Sequence, residues 1–394
     1  MKRALRLWTI GAFVAGLLMP GVASAEILAL VNYESKPEET LKALKITGPQ
    51  EREEGLAVID VDPKSDSFNE ILMTIPLSPD LMAHHIFYDR TMTKAYITSL
   101  GKGKLLLMNM EQYPYRIDEI DVPECQVGED VIFSEDNKTW YLTCMGSNKV
   151  VVGDVATDKI TDVVEMPVPY PHGLAVHTGI DRVLVTSTVN AADLGDPGEE
   201  VVILRKSDHE ILGTHKVSNK PSPSGEAPVE LLFVPRSDPP IVYVTNMYGG
   251  SLWRGVWNAD KEDFDFAEAH NFAAQEVGVP LEMYFNQAVD TMYVTTAKPG
   301  HLHIFDISGD PASPKLVKSI ATAEGAHHVA FTQDEKYAFV QNSLLNLPGM
   351  SDGSITVVDL QKQEAVAVAD ALSASGYNPN SIVLLPKWNH FAGH

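Results

Sequence analysis

Cysteine is scarce. Cys125 and Cys144 are the only two in 394 residues, and no CxxC motif exists, which excludes the metal and redox chemistry built on that pair. In an oxidising compartment the two can bond. The strand starting near Glu129 turns at Glu135 to Lys138 and returns through Thr139 to Cys144, which brings Cys144 back toward Cys125. Two separate thiols, or a thiolate metal ligand, are the other readings. Positive charge is also short: 30 Lys plus Arg face 53 Asp plus Glu, a formal charge of −23. Such a surface repels phosphate backbones and anionic membranes, so neither nucleic acid nor a membrane surface is an expected partner. Helical periodicity is nearly missing, and only Pro37 to Ile46 and Gln363 to Ala374 have room for a turn or two. After the first 25 residues no apolar run is long enough to span a bilayer.

Those first 25 residues have the layout of a secretory signal. Lys2, Arg3 and Arg6 form the positive region, Leu7 to Leu18 the apolar core, and Ala23-Ser24-Ala25 a small-residue cleavage site. The expected mature chain therefore begins at Glu26 and is periplasmic or secreted, with no membrane span once the signal is removed.

What is abundant is a repeat. Units start at Ala83, Gly128, Pro171, Pro228, Pro280 and Ala326, each with short β-branched or aromatic runs such as Ile241-Val242-Tyr243-Val244-Thr245. Their spacing is that of a four-stranded propeller blade. A seventh blade can be assembled from both ends, with Ile27 to Val31, Gly55 to Val61 and Phe68 to Ile75 beside Asn380 to Leu385. Closure by both termini leaves no open sheet edge. The predicted fold is all-β, one seven-bladed β-propeller over residues 26–394; two separate β-domains are the alternative.

The first strand of each blade lines the central channel, so equivalent residues at the strand starts form a ring at one mouth. Read off the repeat, that ring is His84-His85, Glu129-Asp130, His172-Gly173, Val229-Glu230, Leu281-Glu282, His327-His328 and Asn380-Ser381. Imidazole with carboxylate is a ligand set for zinc, copper or iron. The expected ligands are His84, His85, His172, His327, His328, Glu129 and Asp130, with Glu282 and Glu230 as catalytic carboxylates that orient them or move protons. Strand alternation predicts that only one His of each doublet points inward. A solvated polar channel, or acid/base chemistry without metal, are the competing readings.

Three connections on that face are long: Glu34 to Glu54, Asn190 to Glu200 and Leu344 to Gly353. They are expected to overhang the mouth and narrow it. Asp193, Asp196, Glu199 and Glu200 read as a solvated acidic loop, with Ca²⁺ binding as the alternative. The remaining histidines read as bystanders: His209 and His215 in an outer-strand region, His177 in a turn, His270 in an acidic loop, and His301 and His303 alternating on one strand. His390 and His394 belong to a tail leaving the opposite mouth.

Leu56-Ala57-Val58-Ile59-Asp60-Val61-Asp62-Pro63-Lys64-Ser65, followed by Leu81-Met82-Ala83-His84-His85, resembles the start of the selenium-binding protein and methanethiol oxidase family. Val279-Pro280-Leu281-Glu282-Met283 and Ile304 to Pro311 are similar to later segments of it, and the strand repeats to YVTN-type propellers generally. The resemblance implies a propeller, copper-dependent oxidation of methanethiol, and His84 and His85 as metal ligands with Glu282 nearby. Departures are a shorter chain, no cysteine-rich N-terminus, and Glu129-Asp130 and Asn380 where further His would be expected.

The leading expectation is an exported, copper-dependent oxidoreductase that takes a small-molecule substrate, a thiol by the resemblance, and passes electrons to oxygen or an electron-transfer partner. The alternatives are a non-catalytic propeller binding a metal, protein or cell-wall ligand, and a zinc- or calcium-dependent hydrolase.

Overall fold

The structure, a computed structural model, describes residues 26–36 and 53–390. The signal segment, the turn expected at Pro37 to Ile46, most of the loop from Glu34 to Glu54, and His394 lie outside the described residues. Seven four-stranded antiparallel sheets form the blades. Their innermost strands are Ala83–Tyr88, Gly128–Phe133, Pro171–His177, Pro228–Phe233, Gly278–Phe285, Ala326–Phe331 and Tyr377–Leu384. Each packs against the next, and the last packs against the first, which closes a seven-bladed β-propeller.

The closing blade is shared between the chain ends. Tyr377–Leu384 pairs antiparallel with Leu28–Ser35, in register from Ala29 opposite Leu384 to Ser35 opposite Tyr377. Glu54–Asp60 and Ile71–Leu77 complete it. The strands are those expected from sequence, with bounds moved by a few residues.

Burial follows radius. Innermost strands are covered by neighbouring blades on both faces, so Ala83–Tyr88 and Ala326–Phe331 are buried throughout. Such strands read as continuous apolar or β-branched runs. Outermost strands have one wet face, and Ile71–Leu77 shows the alternation this produces. The core lies between blades. Trp140, Tyr96 and Phe133 pack together there, and a Cβ at Gly153 would run into the Trp140 ring, which accounts for that glycine.

Gln363 to Ala374 holds one helical turn, Ala371–Ala374, as its sequence left room for, and Glu364–Ala369 before it is an outer strand. The alternating Val366 and Val368 favour the strand. His270 lies on the strand Asp263–Asn271, not in a loop. Cys125 and Cys144 are joined in a disulfide, their Cα atoms 4.9 Å apart.

Candidate metal centre

Each inner strand enters the channel through the same backbone device. In six of the seven, the residue just before the repeat start (Ala83, Gly128, Pro171, Pro228, Pro280 and Ala326) is in the left-handed region: Met82, Val127, Tyr170, Ala227, Val279 and Gly325, with φ from 52° to 94°. For Val127 and Val279 this conformation is costly, since a β-branched side chain crowds its own backbone there. Three residues further on, the ladder to the second strand gains one extra residue. Ala83 faces Ser99 but Ile86 faces Ile97, and the same shift recurs in every blade. The extra residue falls within the ring doublet.

This bulge overturns the expectation that one His of each doublet points away. Alternation holds only while the ladder is regular. His84 and His85 are both buried and fall in one ligand group; so do His327 and His328.

A bulge strands a backbone N–H, and one side chain per blade repairs it. The N–H of His85, Asp130, Gly173, Glu230 and Glu282 donates to the hydroxyl of Thr98, Thr143, Thr186, Thr245 and Thr295, at 2.8 to 3.2 Å. Gln341 Oε1 accepts from His328 at 3.3 Å and Asn32 Oδ1 from Ser381 at 2.6 Å. Several of these groups also reach the next blade. Thr143 donates to the His172 carbonyl at 2.6 Å, Thr186 to Val229 at 2.6 Å, and Thr245 to Leu281 at 2.7 Å. The ring residues are thereby stitched blade to blade. Sequence reasoning missed these threonines, although the signal was present: Thr98, Thr143, Thr186, Thr245 and Thr295 sit at one phase of the repeat.

Inside the ring, imidazoles and carboxylates alternate. His84 Nε2 lies 3.2 Å from Glu129 Oε2, and His172 Nε2 lies 3.7 Å from the same oxygen. His172 Nδ1 meets Glu230 Oε1 at 3.1 Å. Across the ring, Glu282 Oε1 is 3.3 Å from His327 Nε2 and 3.9 Å from His328 Nδ1. His85 is central: its ring stacks on His84 at 3.9 Å and meets His328 edge-on at 4.4 Å. His172 and Asp130 lie outside both ligand groups; the Asp130 carboxylate accepts the N–H of Leu174 at 2.9 Å and so holds the neighbouring strand.

The electrostatics divide these groups. Burial, reinforced by the surrounding imidazoles, holds His85 well below the ordinary histidine range, so its ring is neutral with a lone pair to offer. Burial alone would raise Glu129, but His84 and His172 outweigh it and keep the carboxyl below its usual value. For His172 burial pulls down while Glu230 and Glu129 pull harder, and its pKa rises to about 9. Tyr284, which sequence reasoning also passed over, is buried beside Glu282; burial, then that carboxylate, pushes its hydroxyl well up, and it accepts the N–H of Val329 at 3.0 Å.

Above this floor lies a cavity of about 260 Å³. His84, His85, Glu129, His172 and His327 face it from below, and Met145, Met247, Leu194, Leu345 and Met350 wall it. The two described long loops supply much of that wall. Tyr170 donates to Asp196 at 2.9 Å and Tyr248 to the Leu194 carbonyl at 2.8 Å, which straps the first loop down. Its carboxylates are engaged in structural hydrogen bonds: Asp193 accepts from the Gly195 N–H within the loop, and Glu199 accepts from the Ser224 N–H outside it. His390 is far from all this, beside Glu335 at 3.0 Å at the opposite end of the inner strands.

No family model matches the chain, and no curated protein matches it in sequence. Among solved structures it is similar to a hypothetical selenium-binding protein from Sulfolobus tokodaii, with TM-score 0.71 and 10% identity over 92% of this chain and 94% of that one. A functionally unknown protein from Desulfotomaculum acetoxidans gives TM-score 0.63 and 14% identity over 91% and 98%. The periplasmic gluconolactonase of Pseudomonas aeruginosa gives 0.59 and 13% over 86% and 95%. At such identities the likeness shows the fold alone.

Proposed function

We propose that this chain is an exported, metal-dependent oxidoreductase, with copper as the metal, that oxidises a small sulfur compound at the His-lined mouth. The observation that carries the reading is a buried His and Glu donor set lying directly beneath a small apolar cavity. The donors suit the metal: imidazole is a good ligand for copper, and neutral His85 needs no proton removed before it offers a first lone pair. His85 with His327 and His328, or with His84 and Glu129, would hold such an ion, which would supply a site for the substrate's sulfur and redox capacity toward oxygen or a redox partner.

The chain's own residues do the rest. Glu230 holds His172 through Nδ1, which turns Nε2 toward Glu129 and the cavity floor. With its pKa at about 9, His172 keeps its proton at neutral pH and can donate to an anionic sulfur. Glu282 orients His327 and His328 from the other side. The Met and Leu wall excludes water and favours a short, weakly polar substrate. The disulfide suits an oxidising compartment.

A hydrolase reading draws on the gluconolactonase neighbour. The cavity argues against it, since a polyhydroxylated lactone needs polar walls and these are mostly apolar above the floor, with Thr188 and Tyr248 the polar exceptions. Metal analysis of protein from its native compartment, with oxygen consumption on a short alkyl thiol, is the test. Copper with consumption that His85→Ala abolishes supports the reading. Zinc or calcium with lactone hydrolysis supports the hydrolase, and a metal-free, inert protein supports a binding propeller.

A further inference from the structure

We infer that the mouth binds two metal ions rather than one, and that His85 bridges them through its two ring nitrogens. This rests on the metal-dependent reading above but not on the choice of substrate. The donors fall into two trios, His85 with His327 and His328, and His84 with His85 and Glu129; in each, one donor atom per residue lies within 4.8 Å of the others. His85 is the only residue common to both. The two trios do not merge into one group, so a single ion placed at one leaves the donors of the other unused.

The state of His85 points the same way. It is 1% exposed, and among the described residues neither Nδ1 nor Nε2 has a hydrogen-bond partner. A histidine that binds one metal ordinarily gives its second ring nitrogen to a carboxylate, carbonyl or water. His172 follows that rule through Glu230. His85 does not, and its ring lies between His84 on one side and His328 on the other. Both of its nitrogens are thus left for ligation.

Charge gives a third, independent argument. Glu129, Asp130, Glu230 and Glu282 are each no more than 3% exposed and crowd one small site. Buried carboxylates need compensating charge. On double loading His85 gives its ring proton to solvent; two divalent ions and the protonated His172 then balance the four carboxylates and the bridging imidazolate, whereas one ion leaves an excess of negative charge.

The test uses the full mature chain, stripped with a chelator and titrated with Cu²⁺. Metal per chain is measured after desalting, and spin by quantitative EPR. The expected result is two coppers per chain with a low-temperature spin count well under two, because an imidazolate bridge couples the pair. His84→Ala and His328→Ala should each hold one copper with one full spin, and His85→Ala no more than one. One copper in the wild-type chain overturns the inference. So does a pair of uncoupled spins, or two coppers kept by His85→Ala. The wild-type count needs no variant, so misfolding of a mutant cannot shelter the idea. Two coupled ions in a chain inert toward thiols would keep this inference and sink the thiol reading; one ion with full thiol oxidation would do the reverse.

Discussion

Replacing Thr143 by valine tests whether the bulge threonines hold the ring together. Thr143 is fully buried; its hydroxyl accepts the Asp130 N–H at 3.0 Å and donates to the His172 carbonyl at 2.6 Å. Valine matches its shape, so the change deletes the hydroxyl while leaving little cavity. It strands one backbone donor and one acceptor away from water, at about 1–3 kcal/mol each, so the loss should be about 2–6 kcal/mol. Thr143→Ser keeps the hydroxyl and loses one methyl, at about 1 kcal/mol. Urea unfolding followed by tryptophan fluorescence should therefore rank wild type above serine and serine well above valine. A valine variant within about 0.5 kcal/mol of wild type would refute the reasoning, because that is the scatter of an ordinary surface change.

Chain closure, acid sensitivity and the tail give further tests. Ending the chain at Asn378 removes the partners of Ala29 to Tyr33, so size-exclusion chromatography should show aggregates; a monodisperse monomer would contradict the closure. Burial, then His301 and His270, holds His303 at about 3, against about 6.5 when unfolded. Between those pH values the unfolded chain binds a proton that the folded chain refuses, so this contribution is intact above pH 6.5 and is lost as pH falls. The slope is at most about 1.4 kcal/mol per pH unit. His303→Gln, which keeps side-chain bonding toward Thr296 and Ser319, should flatten that slope; an unchanged pH profile of stability would count against it. His390→Ala and His394→Ala should leave copper content unchanged, whereas His328→Ala lowers it. Equal loss in the tail variants would place the site at the wrong mouth.

Much of the frame was legible along the chain. The β-branched runs recur at blade spacing because each inner strand is covered on both faces, a demand that falls on consecutive residues. The His doublets were visible for the same reason, since they occupy one phase of the repeat. Phase placed Asp130 at the mouth, but did not show the bond its carboxylate accepts from the N–H of Leu174, 44 residues further along. Phase places a residue at the mouth but does not say which neighbour captures its side chain.

What the sequence by itself determined was the number of blades, their closure by the two ends and the mouth at which the imidazoles meet, because each follows from local patterning repeated along the chain. The tertiary structure alone decided that both members of a doublet face the site, that the donors split into two trios about His85, and that an apolar chamber covers them. Inner-strand bulges break the two-residue alternation on which a sequence reading depends. The trios and the chamber join blades far apart in sequence, where His85 meets His328 and Leu194 shares a wall with Met350. Such juxtapositions arise from closure of the ring, and no short stretch of sequence encodes them.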